Sequence, residues 1–343
     1  MRCPTLAELP PPPPGKTGWP WTEESPQLPE TMPDGRPWPR ISIVTPSYNQ
    51  ARFIEETIRS ALLQGYPNLE YLILDGGSTD GSVEIIKKYE RWLIYWVSEP
   101  DKGQSNAINK GWRQATGELV TWLNSDDVYM PAALQSVAQS WRDENTVGFI
   151  HGHAQCVDID GKPIAKSGVI GAPFDFRKSL LNAENCVAVS AFVSRTALGE
   201  IGYLDTNLHM TMDWDLWLRL GSRFESTFVS EILLKYRWWS NSKTASQWSR
   251  PEAVKIVKKF FRENDLRSLD KTAKRKALAA AYGEEANKYY LAKNYHNFRK
   301  TLLLSLIYDP GLKGGHAQLR LPALFFGHSL VMYLKSCKRR ILT

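Results

Sequence analysis

Long apolar runs, paired cysteines and a glycine-rich phosphate loop are all missing from this 343-residue chain, and each absence removes a class of protein. No stretch reaches the ~18 to 20 apolar residues that a membrane-spanning helix needs. The opening MRCPTLAELPPPPPGK also lacks the apolar core of a secretory signal, so the sequence predicts a cytoplasmic protein. The 4 cysteines, Cys3, Cys156, Cys186 and Cys337, show no C-x-x-C spacing. That argues against a zinc ribbon or a disulfide framework and for a reducing compartment. The first strand-like run ends in TPSYNQ and not in G-x-G-x-x-G, which removes the close glycine approach that a dinucleotide-binding Rossmann domain requires.

What is present is unevenly spread. The net charge is +7, yet from Gln247 onward 20 Lys and Arg face 7 Asp and Glu, so the first two-thirds are mildly acidic and the basicity belongs to the C-terminal part. Residues 1–40 hold about half of the 21 prolines, interleaved with Trp19, Trp21 and Trp38. Proline fixes φ and removes donors, so this segment is extended; three tryptophans are costly to leave in water, which favours a strap lying on a globular body over a disordered leader.

Order begins at Ile41. ISIVTPSYN is a buried-strand run broken by Pro46, ARFIEETIRSALLQG has apolar residues at helical spacing, and LEYLILDGGSTDGSVEIIKKYE repeats the strand, loop and helix. A strand in LIYWVSEP, a helix over QSNAINKGWRQAT and the strand ELVTWLN continue the alternation, which predicts an α/β fold built on a mainly parallel sheet with helices on both faces. Beyond Pro131 the pattern is mixed: a helix over residues 132–141, a strand and hairpin through VGFIHGHAQCVDIDGKP, a strand in CVAVSAFVSR, the helical DWDLWLRLG, and a strand pair through STFVSEILLKYRWW. From Pro251 the pattern is helical. The expected organisation is a proline-rich strap at 1–40, two halves of one α/β domain at 41–130 and 131–246, and a basic helical extension at 247–343.

Ligands of open parallel sheets bind beyond the carboxyl ends of the strands. Three such ends here are polar or acidic: Thr45-Pro46-Ser47-Tyr48, Asp75-Gly76-Gly77-Ser78 and Asn124-Ser125-Asp126-Asp127. Asp75 suits acceptance of hydrogen bonds from a base or ribose, or a helix cap; Tyr48 suits stacking on a base, or packing. Adjacent carboxylates repel unless a cation or donor compensates them, so Asp126 and Asp127 point to a hard divalent ion shared with a diphosphate. Asp127 alone is also readable as a cap of the following helix. His151 and His153 alternate on one strand, but no third or fourth ligand follows and metal binding there is disfavoured.

ISIVTPSYNQARFIEETIRSALLQGYPNLEYLILDGGSTDGS, EPDKGQSNAINKG and WLNSDD together resemble family 2 glycosyltransferases of the GT-A fold, over about residues 41–244. The resemblance implies a Rossmann-like mixed sheet with helices on both faces and an inverting transfer of a sugar from a nucleoside-diphosphate donor to a glycan or lipid-linked acceptor in surface polysaccharide synthesis. It places nucleotide contacts on Thr45, Pro46, Tyr48 and Asp75. It maps the family's D-x-D, which holds ribose and Mg²⁺ or Mn²⁺, onto Asn124, Ser125 and Asp126, with Asp126 as the metal ligand. Ile108 stands where many relatives carry Arg, which shifts an expected diphosphate contact to Lys102. The catalytic base maps onto Asp213, with Met212 in place of the usual acid and Asp215 left to complement the helix dipole. Trp239 stands where relatives often have a His. A non-catalytic nucleotide-sugar or glycan-binding module on the same scaffold is the alternative. The tail LPALFFGHSLVMYLKSCKRRILT carries Lys335, Lys338, Arg339 and Arg340 behind an apolar body. Two readings of it stay open, a peripheral contact with an anionic membrane surface at the inner face and packing against the preceding helices. No nucleic acid partner is expected.

Overall fold

The computed structural model describes residues 1–141, 146–164, 168–187, 191–247, 251–264 and 271–310. The elements follow in the order β1 (Ile41–Ser47), α1 (Ile54–Leu62), β2 (Leu69–Asp75), α2 (Ser82–Lys88), β3 (Tyr95–Ser98), α3 (Gln104–Gln114), β4 (Leu119–Trp122), β5 (Val128–Tyr129) and α4 (Ala133–Ser140). Then come β6 (Val147–Val157), β7 (Val169–Ile170), α5 (Phe176–Asn182), β8 (Ala191–Ser194), α6 (Arg195–Ile201), α7 (Met212–Gly221) and β9 (Glu225–Arg237). Four helices close the order: α8 (Lys243–Gln247), α9 (Ala253–Glu263), α10 (Lys271–Leu291) and α11 (Tyr295–Tyr308).

β1 and β2 are buried at every position, as central strands covered on both faces must be, which is why they read as unbroken apolar runs. Pro46 does not interrupt β1. The sheet runs β3-β2-β1-β4-β8-β6-β9-β5, with β7 paired to β6. Its first four strands are parallel. β8 turns the direction by pairing antiparallel with both β4 and β6, and β9 is parallel to β6 but antiparallel to β5. The sheet is therefore mixed, and the parallel half is the part that the strand and helix alternation identified. α3 packs on β1 so closely that a Cβ at Gly111 would come 2.5 Å from Val44 Cγ1.

One expectation is corrected. STFVSEILLKYR belongs to one 13-residue strand, β9, and not to a strand pair, and Trp238 and Trp239 follow its end. The polar Ser230-Glu231 that suggests a turn is absorbed as an irregularity, where the pairing with β6 jumps from Gly152↔Val229 to His153↔Ile232. A bulge takes up extra residues without reversing the chain.

Residues 1–40 lie on the sheet domain. Cys3, Leu9, Trp21, Met32 and Trp38 are buried, and backbone bonds run from Cys3 to Tyr66 and from Ser25 to Leu63. Arg59 of α1 is fully buried and donates to the carbonyls of Pro10, Pro20 and Trp21, which have no neighbouring strand to satisfy them. The Trp19 indole donates to Tyr129 O at 2.7 Å.

The chain divides into two compact units, residues 1–175 with 185–245, and 176–184 with 246 onward. The second is helical in its described part, with a small core of Ala286, Tyr290, Phe298 and Leu302, and Glu285 accepting from the backbone N–H of Val254 at the start of α9. No helix among the described residues is long and apolar enough to cross a membrane. The tail with Lys335, Lys338, Arg339 and Arg340 lies outside the described residues.

Candidate active site

The ends of β1, β2 and β4 meet on one edge of the sheet, since Ser47 pairs with Asp75 and Val44 with Trp122. Thr45 is fully buried, its hydroxyl 3.0 Å from the Tyr71 hydroxyl, and Pro46 is buried beside it. These two set the floor of the edge. Tyr48 is the first side chain beyond it and is 62% exposed, an unusual place for a large ring unless a flat ligand covers it. Gly76 keeps the space beside Tyr48 open, because a Cβ there would come 3.3 Å from the Tyr48 ring and 3.1 Å from Asp101 Oδ2. The Asp75 carboxylate accepts four internal donors, the N–H of Gly77 and Ser78 and the hydroxyls of Ser78 and Ser98. It shapes the loop at the edge. Lys102 is exposed, whereas Ile108 is fully buried within α3.

Beyond β4 the two adjacent aspartates have separate environments. Asp127 is 1% exposed, and its two oxygens accept from the backbone N–H of Arg237 and from Asn124 Nδ2, both at 2.9 Å. Burial first, and the charge of Asp126 second, hold the Asp127 carboxyl well above the ordinary carboxylate range. Asp127 does not cap the next helix, whose N-cap is Ala132. Asp126 is half-buried and accepts from the Trp239 indole N–H through Oδ2 at 2.9 Å, while Oδ1 has no hydrogen bond to another of the described residues. Its carboxyl is also raised, by desolvation against the weaker pull of Trp239 and Arg237. Trp239 is held by Phe53, with ring centroids 5.1 Å apart. Ser125 is buried.

Arg237 fastens β9 to this turn. Its guanidinium donates to Asp126 O at 2.8 Å, to Ile159 O at 3.0 Å and to Glu56 Oε2 at 3.0 Å. All its edges are spent on protein groups, so it is a structural fork.

Asn124 joins the turn to α3. Its Oδ1 accepts from Gln104 Nε2 at 2.7 Å, and Gln104 Oε1 accepts from Lys243 Nζ at 2.5 Å. The same helix steadies the segment ahead of α7. Asn109 bonds both backbone groups of Leu204, and Ser105 Oγ donates to Leu208 O at 3.5 Å. α3 is thus the bar between the β4 turn and Asp213. Asp213 lies in the first turn of α7, where its Oδ1 accepts from Trp214 N at 2.8 Å and its Oδ2 from Asn185 Nδ2 at 2.9 Å. Desolvation raises its carboxyl, opposed by these two donors and by the charge of Lys243. Asp215 instead turns inward to an ion pair with Arg219 at 2.9 Å.

Gln104, Asn185, Lys243 and Arg237 are the residues of this cluster that motif reading missed. Gln104 lies inside the quoted GQSNAINKG and Arg237 inside KYRWW, but side-chain amides and a lysine six residues past a strand carry no pattern of their own.

The donor set fits a divalent ion in a limited way. Among the described residues no three His, Cys, Asp or Glu gather to hold a metal. Asp126 nevertheless offers one unengaged oxygen on a desolvated carboxylate, which suits an ion that brings its remaining oxygen ligands with it. The two histidines of β6 have no third His, Cys, Asp or Glu gathered with them among the described residues. His151 is fully buried with neither ring nitrogen hydrogen-bonded, and burial, then His153, pushes its pKa down to about 4. Both rings pack on Phe228.

A mixed sheet of this order, with helices packed on it and an acidic turn at the β4 end, is the fold of the GT-A class. A family model described as glycosyl transferase family 2 matches residues 42–202. TuaG of Bacillus subtilis (strain 168), a glycosyltransferase ascribed to teichuronic acid biosynthesis, is 30% identical over 228 residues, 64% of this chain and 87% of TuaG. The chain belongs to glycosyl transferase family 2. An uncharacterised glycosyltransferase of Nostoc sp. (strain PCC 7120) is 33% identical over 135 residues, 38% of this chain and 42% of that protein, so the alignment there spans under half of the relative. Among solved structures, Staphylococcus aureus TarS 1–349 in complex with UDP-GlcNAc aligns with a TM-score of 0.57 at 17% identity, covering 83% of both chains. The mannosyltransferase PcManGT of Pyrobaculum calidifontis, in complex with GDP-Man and Mn²⁺, aligns at 0.52 and 21% identity, covering 89% of this chain and 87% of its own.

Proposed function

We propose that this glycosyltransferase moves a hexose-type sugar from a nucleoside-diphosphate donor to a hydroxyl of a glycan or lipid-linked acceptor, with inversion, in cell-surface polysaccharide synthesis. The observation that carries this reading is the pairing of two differently held carboxylates. Asp126 accepts from Trp239 through one oxygen at the β4 turn, and Asp213 stands at the α7 N-terminus with its carboxyl raised by desolvation. The polysaccharide class rests on TuaG, and the donor class on the ligands of TarS and PcManGT.

In this mechanism Tyr48 stacks on the base above the floor made by Thr45 and Pro46, and Asp75 holds the loop that borders it. Asn124, Ser125 and Lys102 complete the donor side. Asp213 takes the proton of the acceptor hydroxyl as that oxygen attacks the anomeric carbon, and the nucleoside diphosphate leaves from the opposite face. Mg²⁺ or Mn²⁺, when bound, would be held by Asp126 and would supply positive charge to the leaving diphosphate. Residues 41–130 serve the donor, 131–246 the acceptor, and 247–343 form a basic extension. A lipid-linked acceptor would place the protein at the cytoplasmic face of the membrane. A panel of nucleoside-diphosphate sugars with Mn²⁺ tests the reading: donor-dependent product is expected from the wild type and lost in Asp213→Asn. Donor binding without any turnover in the wild type would leave only a binding module.

A further inference from the structure

We propose that the outer face of α11, together with the exposed cations at the start of α10, is a docking surface for an anionic lipid bilayer. The inference deepens the reading of a lipid-linked acceptor and rests on that reading for its purpose, while it uses no residue of the candidate active site.

α10 and α11 form an antiparallel pair. Tyr290 meets Phe298 with ring centroids 5.2 Å apart, Ser305 Oγ donates to Ala279 O at 2.7 Å, and Arg275 Nε donates to Tyr308 O at 3.3 Å. Phe298, Thr301, Leu302 and Ser305 are buried and spaced as one helical face, the side of α11 turned to its partner. The opposite side carries His296, Arg299, Lys300, Leu303 and Ile307, again at three- and four-residue steps, and each of these is exposed. Leu303 is 56% and Ile307 59% exposed, and among the described residues only Tyr48 is a more exposed large hydrophobic residue. Single apolar residues scattered on a surface need no partner. These two stand one turn apart on the same face, with half-buried Leu304 and Leu306 beside them.

The charge around the pair selects what covers it. α11 contains no Asp or Glu, and the nearest acid in the sequence is Asp309 just past its end. Arg299 and Lys300 lie one turn before Leu303, and the Arg275 bond brings the exposed Lys274, Arg275 and Lys276 to the end that carries Ile307. Beyond Pro310 the sequence adds Lys313, Arg320, Lys335, Lys338, Arg339 and Arg340 and no acid. A second copy of this face, or the chain's own C-terminal sequence laid on it, would set cations against cations. An anionic bilayer answers both parts of the face. Its headgroups attract the Lys and Arg side chains, and the boundary with the acyl chains receives Leu303 and Ile307. The contact is peripheral, since no described helix is long and apolar enough to cross.

Sedimentation of the full-length chain with vesicles of phosphatidylcholine, alone or mixed with phosphatidylglycerol, tests the assignment with no donor or acceptor present. The wild type should bind the mixed vesicles and not the neutral ones, and added salt should weaken the binding. Leu303→Ser/Ile307→Ser should weaken it by roughly tenfold or more, the scale for leaving two aliphatic side chains in water, and Arg299→Gln/Lys300→Gln by about tenfold. Both variants should keep the wild-type melting temperature without vesicles. Binding that is absent, equal on neutral vesicles, or unchanged in Leu303→Ser/Ile307→Ser overturns the assignment. So does a melting temperature several degrees lower in that variant, which means that the chain itself covers the face. A wild-type dimer that the variant dissociates overturns it as well, because a second copy is then the occupant. A wild type that binds the mixed vesicles but transfers no sugar would sink the transferase reading and not this surface.

Discussion

Asn124 donates its side-chain amide to Asp127 Oδ2 across 2.9 Å, so the residue at the first position of the proposed D-x-D match is the one that satisfies a buried carboxylate. The amide is locally required, because an aspartate at 124 would set two carboxylates against each other. Asn124→Asp is therefore expected to lower stability without strengthening metal-dependent donor binding. The sign with pH is fixed by the direction of the Asp127 shift: a folded-state pKa above the unfolded one means that stability is intact below about pH 4 and falls as pH rises toward the folded value. Thermal unfolding from pH 4 to 8 should show the gap between variant and wild type widening with pH. A gap that narrows would contradict the pairing.

Asp213→Asn should reduce kcat by about 10²- to 10⁴-fold, the usual contribution of a general base, with donor affinity little changed. Because desolvation raises the Asp213 carboxyl, the acid limb of the wild-type rate profile should lie above the ordinary carboxylate range, with activity gained as pH rises through it. Steady-state rates across pH 4 to 9 check both points.

Removing Asp126 separates the metal from the rest of the site. In Asp126→Ala, Mn²⁺ should no longer tighten binding of the preferred nucleoside diphosphate, while metal-free binding stays within a few-fold. Calorimetry with Mn²⁺ and with EDTA reads the difference; a Mn²⁺ effect that survives places the ion elsewhere.

Tyr48 is expected to act on ligand and not on fold. Its ring is 62% exposed, so Tyr48→Ala should leave the melting temperature within a degree or two by estimate while costing ~1 to 3 kcal/mol of nucleoside binding, the range for an aromatic platform under a base. Unchanged nucleoside affinity would make Tyr48 a bystander.

Arg59→Met should release the N-terminal segment. It strips donors from the carbonyls of Pro10, Pro20 and Trp21, and the expected loss is about 3 kcal/mol. Limited proteolysis should then cut within residues 10–21 before the sheet domain is attacked.

Much of the fold was legible because the parallel half is built from strands buried on both faces and helices with one apolar side. ISIV and EYLIL could hardly be read otherwise. The antiparallel half was harder, since the pairing of β8 and the bulge in β9 depend on partners far away in sequence, and Ser230-Glu231 looks the same in a turn as in a bulge. At the site, the proposed roles of Asp126 and Asp213 come from resemblance, not from any pattern of their own. The division of labour between Asp126 and Asp127 was visible only in part, because the Arg237 N–H that engages Asp127 comes from a strand 110 residues away. Lys243 could not be singled out at all, since its meaning lies in reaching back to Gln104 across 139 residues.

The strap has a consequence for how this protein is cut. The family model begins at residue 42, yet Tyr66 donates to Pro39 O, the N–H groups of Ser25 and Leu28 donate to Leu63 O and Gly65 O, and the Trp19 indole holds the backbone two residues past Asp127. What is shared by ancestry and what folds as a unit have different borders here. A fragment trimmed to the shared part would expose an apolar surface that the first forty residues normally cover.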